Sequence, residues 1–231
     1  FPVSRNRFAQ VSTDNFSKIP GSPVAYWVSE KFMKIFDNGI SVDSISDYTG
    51  SQHITANNDR YLRFFWEIQQ AKTWKPYSKG GEYRKWYGNI VHVVDWSEQA
   101  LSFYRTNSTS NMLADELVDC SGIAYTDIST KGTGFRYFCG GAFDKSGPVI
   151  CNVHELLYII ALLNSQVFKY YSVISNPTIH LQVKDIKAFP IHIESAHKLA
   201  IDELSEQNIE YSKQDWDSYE TSWDFKKNPL I

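Results

Sequence analysis

Sulfur is scarce in this chain: three cysteines and two methionines in 231 residues. Cys120, Cys139 and Cys151 are odd in number and widely spaced, with no C-x-x-C pair. That argues against a disulfide framework and against a zinc site, so buried thiols in a reducing, cytoplasmic compartment are expected. The six histidines form no H-E-x-x-H and no close pair at metal spacing, so no metal ligand is assigned. A nucleophile elbow G-x-S-x-G is missing, and so is the phosphate-binding G-x-x-x-x-G-K-[ST]. No catalytic and no cofactor-binding residue is therefore assigned, and the chain by itself is expected to be inert. Its most apolar run, 156–174, is broken by Asn164, Ser165, Gln166 and Lys169, so no membrane partner is expected. A charged leader followed by an apolar run is also missing, and a start at Phe1 reads as a cut from something longer. Excess positive charge is lacking too: the net charge is −3.

What the chain has in quantity is rings. Aromatic residues make up 15%, including seven Trp, on a background of 42% apolar and 21% charged residues. Such composition suits a folded domain with rings to spare for stacking or for interfaces. The charge is segregated. Between 60 and 85 stand seven cations (Arg60, Arg63, Lys72, Lys75, Lys79, Arg84, Lys85) against Glu67 and Glu82. Between 194 and 224 nine carboxylates face only Lys198 and Lys213. Two surfaces with different partners are expected from that asymmetry.

Helix and strand signals alternate without βαβ regularity, which predicts an α+β fold: a mixed sheet with a strand-rich centre, one long buried helix and a C-terminal helical segment. Ser22, Pro23 and Asn38-Gly39 bracket a first helix. "NIVHVVDW", "IAYTDIST" and "GFRYFCGGAFD" read as strands, with a hairpin across 121–138 and a hairpin turn at "FCGGAFDKSGP". Residues 153–174 read as one helix whose Leu156, Ile159, Ile160, Leu163, Val167 and Tyr170 face the core. Asn176-Pro177-Thr178 lacks the second proline and the ring of an N-P-P-[YF] loop and reads as a helix stop. Residues 1–195 are expected to form one domain and 196–231 a helical appendage. In that appendage Trp216, Tyr219 and Trp223 would share a helix face that packs on the domain's body or docks a second protein.

The stretch "KPYSKGGEYRKWYGN" (75–89) sets four cations and four rings around Gly80-Gly81. Cations neutralise phosphates, rings stack on bases, and adjacent glycines allow close approach of backbone. Lys75, Lys79, Tyr83, Arg84 and Lys85 are therefore DNA-binding candidates. Asn58, Arg60 and Arg63 in "NNDRYLR" have the chemistry to read base edges or phosphates, and Lys131 and Arg136 join them from the 121–138 hairpin. The competing reading is a protein-interaction module whose rings form a hot-spot patch.

"KIPGSPVAYWVSEKF", "NNDRYLRFFWE", "KPYSKGGEYRKWYGN", "GIAYTDIST…GFRYF", "LLNSQVFKYYSVISNPTIHLQVKDIKAFPI" and "DWDSYETSWDF" occur in this order. Together they resemble PglX-type adenine-specific DNA methyltransferases of BREX phage-defence systems, over residues 18–230. The resemblance implies a C-terminal, TaqI-like target-recognition domain that holds double-stranded DNA. An upstream methyltransferase domain would then bind S-adenosylmethionine and modify adenine. It also implies other BREX proteins as partners, and an acidic, DNA-mimicking phage inhibitor fits a basic groove. This chain has Ala56 where such proteins tend to carry glycine.

Overall fold

The computed structural model describes residue 19 and residues 28–37, 39–47, 50–69 and 71–230. Ser22, Pro23 and Asn38, expected to bracket the first helix, lie outside the described residues. The chain is α+β, but its strands divide among three small sheets instead of one. In chain order the elements are α1 (Glu30–Met33), β1 (Ile40–Ser41), α2 (Asn58–Tyr61), β2 (Leu62–Phe64), β3 (Trp74–Ser78), β4 (His92–Asp95), α3 (Glu98–Thr106), β5 (Ser121–Ala124), β6 (Arg136–Cys139), β7 (Ala142–Phe143), β8 (Val149–Cys151), α4 (Leu156–Leu163), α5 (Gln166–Ser175), α6 (Val183–Lys187), β9 (Pro190–Ile191) and α7 (Ser195–Asp217). Single turns of 3-10 helix connect several of them.

One sheet runs β2-β4-β3-β7, a second β6-β5-β8, and β1 pairs with β9. The expected 121–138 hairpin forms, with β5 and β6 antiparallel from Ser121↔Cys139 to Ala124↔Arg136. The turn expected at 138–148 does not close a hairpin. Gly140 and Gly141, at φ +117° and +119°, swing the chain out of β6. β7 then joins the other sheet parallel to β3. A Cβ on Gly141 would lie 2.2 Å from the carbonyl oxygen of Pro76, so only glycine fits this crossover.

The expected thiols are also corrected. Cys120 precedes β5, and Cys151 ends β8 opposite Gly122, which brings the two side chains together as a disulfide; Cys139 is an exposed free thiol. Among the described residues no helix is long and apolar enough to cross a membrane.

The long helix breaks in two. Leu163 closes α4, and Ser165 restarts the chain as the cap of α5, its hydroxyl accepting from the N–H groups of Val167 and Phe168. Between them Asn164 turns inward. Its amide donates to the Phe135 carbonyl at 2.9 Å and accepts from the Phe135 N–H at 3.1 Å, standing in for a paired strand. The restart rotates the buried face. Ile159, Ile160 and Leu163 are core as expected, whereas Val167 and Tyr170 are exposed and Phe168, Tyr171 and Ile174 are buried instead. Each of these buried side chains contributes about 1.5–3 kcal/mol of apolar transfer energy.

α7 lies along α4. Ile201 and Ile209 pack on the main core, and Ser205 is fully covered between them. The helix ends at Asp217, so Trp216 is helical while Tyr219 and Trp223 lie in the turns beyond, not on one helix face. Trp223 packs on Phe65, their ring centroids 5.2 Å apart. The acidic tail thus folds back onto the same body as the basic stretch.

Candidate nucleic-acid interface

The 75–89 stretch begins as β3, held between β4 and β7. Tyr77 is buried and donates its hydroxyl to the His53 carbonyl at 2.8 Å. The glycines that follow face protein, not a ligand: a Cβ on Gly80 would come 2.5 Å from the Ser146 carbonyl oxygen. Trp86 pairs with the second sheet, accepting from the Tyr137 N–H and donating to the Phe135 carbonyl, both at 2.8 Å.

Most of the cations in this stretch have partners within the fold. Lys75 pairs with Asp119, and Lys79 with Asp144 at 2.9 Å. Arg84 pairs with Asp215, stacks over Trp216 with its guanidinium 5.0 Å from the ring, and donates Nε–H to the Tyr87 carbonyl at 2.9 Å. Lys85 differs, because its ammonium meets no carboxylate among the described residues and donates instead to the Asn164 carbonyl at 2.7 Å. That carbonyl was released by the break between α4 and α5.

Arg136 requires a correction. Only 1% of it is exposed, so it cannot reach a base edge. Its guanidinium donates to the carbonyls of Gly134 and Arg84 and to the Thr126 hydroxyl, at 3.3–3.4 Å. Burial, aided by the neighbouring Arg84 charge, pulls it down to about 10. It ties the end of β5 and the start of β6 to the backbone at Arg84.

The remaining candidates fall into two groups. Tyr83, Lys85 and Lys131 line one cleft of about 240 Å³, between the β5–β6 loop, the α4–α5 junction and the segment 176–181. Lys169, on the exposed side of α5, joins them, and among the described residues no Asp or Glu lines the cleft. Ser129, Thr133, Gln166, Asn176 and Thr178 add hydroxyls and amides. Lys131 and Lys169 have no ion-pair partner among the described residues.

Two walls of the cleft are clasped together. Ser129 N–H donates to Ile179 and Leu181 N–H to Asp127, at 3.1 and 2.9 Å, and the Asp127 carboxylate lies 3.1 Å from His180 Nδ1. Burial raises the Asp127 carboxyl, against the pull of His180 and Lys145. Asn176 caps the end of α5 and donates to both the His180 carbonyl and the Asp185 carboxylate, which makes the Asn-Pro-Thr stretch the helix stop expected.

Asn58, Arg63 and Lys79 line a second, shallower groove of about 390 Å³ together with Asp59, Phe64, Glu67 and His92. Asn58 Oδ1 accepts from the Thr55 hydroxyl at 2.6 Å. Arg63 donates to the carbonyls of Asp59 and Leu62. Arg60 lies outside the groove lining, exposed, over the Tyr61 ring at 5.1 Å. Ala56 sits just before α2 at φ +58°, the left-handed conformation that glycine adopts without strain.

Sequence reasoning missed Lys169, which stood only as an interruption in an apolar helix. It missed the Asp127–His180 clasp, whose members are far apart in the chain. It also missed the exposed rings of Phe64 and Trp66, although they occupy a short apolar run between polar residues.

No protein-family model matches the chain. Two curated relatives do. An adenine-specific methyltransferase named BrxX from Escherichia coli O9:H4 (strain HS) is 31% identical over 98% of this chain. An adenine-specific methyltransferase named PglX from Lacticaseibacillus casei (strain Zhang) is 31% identical over 94% of it. The chain spans only 19% and 20% of the length of these relatives. Over nearly its whole length it is therefore related to one stretch of PglX-type adenine-specific methyltransferases, as its motifs led us to expect.

Proposed function

We propose that this chain is the part of a BREX-type adenine-specific DNA methyltransferase that grips double-stranded DNA and selects its sequence. The methyl transfer belongs to a catalytic domain outside this chain, which would bind S-adenosylmethionine and turn the adenine out of the duplex. One observation carries the reading: Lys85, Lys131 and Lys169 converge on a cleft with no carboxylate among the described residues of its lining. Duplex DNA carries one negative charge per ~1.7 Å of axis, so such a cleft attracts its backbone strongly. Tyr83 and the surrounding hydroxyls and amides suit contacts to sugar, phosphate and base edges.

Asn58, Arg60, Arg63 and Lys79 form a secondary contact in this reading. Lys75 and Arg84, which pair with carboxylates and line neither the cleft nor the shallower groove, serve the fold. Residues 1–195 act as the recognition body and 196–231 as a helical brace upon it. The remainder of the methyltransferase and other BREX proteins are the protein partners, and an acidic, DNA-mimicking phage protein would compete for the cleft.

The test is the salt dependence of duplex binding by the chain and its Lys131→Ala/Lys169→Ala variant. Each phosphate contact contributes about 0.9 to the slope of log affinity against log salt, so the double variant should flatten it by roughly 2. An unchanged slope removes the cleft from the interface.

A further inference from the structure

Helix α5 has two faces. Phe168, Tyr171 and Ile174 are buried, whereas Gln166, Lys169 and Val173 are exposed and line the cleft. These three stand at i, i+3 and i+7, a single stripe along the helix. The stripe combines an amide, a cation and an aliphatic group. Ile179, from the segment that follows α5, adds a second aliphatic group to the same lining, and it and Val173 are 58% and 59% exposed.

Among the described residues three side-chain amides line the cleft, and two of them are spent within the fold. Asn164 is bonded through both its oxygen and its nitrogen to the Phe135 backbone. Asn176 donates to the His180 carbonyl and the Asp185 carboxylate, and its oxygen accepts from the Thr178 N–H at 3.1 Å. The Gln166 amide makes no hydrogen bond among the described residues, so both its donor and its acceptor face the cleft's ligand. Phosphate contacts to Lys131 and Lys169 would leave the amide unmatched and the aliphatic groups facing water. The major groove of a duplex answers both. Adenine presents there an acceptor and a donor that a carboxamide matches bidentately, and thymine presents a methyl group. That groove is about 12 Å wide and admits an α-helix.

Resting on the reading that this chain holds duplex DNA, we propose that the exposed stripe of α5 enters the major groove and that Gln166 selects an adenine there, with Val173 against a thymine methyl. Lys131 and Lys169 then hold the flanking backbone, which fixes the register without choosing the sequence.

The test selects duplexes from a randomised pool with the chain, Gln166→Ala and Gln166→Glu. The affinity of each protein is then measured, at several salt concentrations, for the selected duplex and its single base-pair variants. The unaltered chain should prefer adenine at one position by about ten-fold, as a bidentate amide contact gives. Gln166→Ala should lose the preference at that position alone. Gln166→Glu should move it to cytosine, whose amino group a carboxylate accepts, and a switch of that kind cannot come from misfolding. Salt-dependent binding in which both variants keep the preference of the unaltered chain, or weaken equally on every duplex, overturns Gln166 as the reader and leaves the duplex reading standing. Salt-dependent binding with no sequence preference in the unaltered chain does the same. A chain that binds no duplex in a salt-dependent way sinks the duplex reading and this inference with it.

Discussion

Two regions of this molecule are rich in cations, and they differ in what faces the charge. Along 75–89, Lys75, Lys79 and Arg84 each meet a carboxylate from a distant part of the chain. Around the cleft, Lys85 donates to a backbone carbonyl, and Lys131 and Lys169 share a lining of amides and hydroxyls with no ion-pair partner among the described residues. The first region is denser in cations along the sequence, yet it is in the second that cations stand without a carboxylate partner among the described residues. Charge available for binding is what the tertiary fold leaves unpaired.

The sharpest way to break this contrast is Asn164→Ala. It strands the Phe135 N–H inside the protein and removes one of the two bonds to the Phe135 carbonyl, which keeps the Trp86 N–H, and should cost about 2–3 kcal/mol. Denaturant unfolding checks it. A cost near zero would mean that the junction holding Lys85 is not fixed by that amide.

Acid should probe the other region with a similar magnitude. His53 lies beneath β3, fully buried among Tyr77, Trp96 and Tyr104, and burial pulls it from 6.5 down to about 4, partly opposed by Asp144. The folded state keeps this imidazole neutral, while the unfolded chain takes up its proton near pH 6.5. Stability is therefore complete above pH 6.5 and falls by roughly 3 kcal/mol as the pH drops to 4. His53→Phe should remove that part of the acid dependence in a thermal melt followed against pH.

The smallest effect is expected for Lys79→Ala. Its partly exposed pair with Asp144 contributes about 1 kcal/mol or less. The salt slope of duplex binding should change by less than in the Lys131→Ala/Lys169→Ala variant. A larger change would make Lys79 more than a secondary contact.

Local pattern carried much of this fold into the sequence. Alternation and glycine punctuation located β5 and β6, and helical spacing located α4 and the start of α7. What it could not carry was pairing between distant residues. "LLNSQ" keeps helical spacing through the break, because the reason for the break is Phe135, on another element. The disulfide depends on β5 and β8 becoming neighbours, which no spacing between cysteines reveals. Arg136 looked like a surface cation because arginine is seldom fully buried. At the candidate site, Tyr83, Lys85 and Lys131 were legible as cations and rings near glycines. Lys169 was not, since an isolated lysine in an apolar helix has no local mark of function.

The β5–β6 loop leaves the body at Asp127, where His180 holds it, and returns at Phe135, where Asn164 holds it. With both ends moored, the segment between them behaves as an exchangeable cassette. Under the proposed reading, replacing the residues between these moorings would change the preferred target while leaving the walls in place.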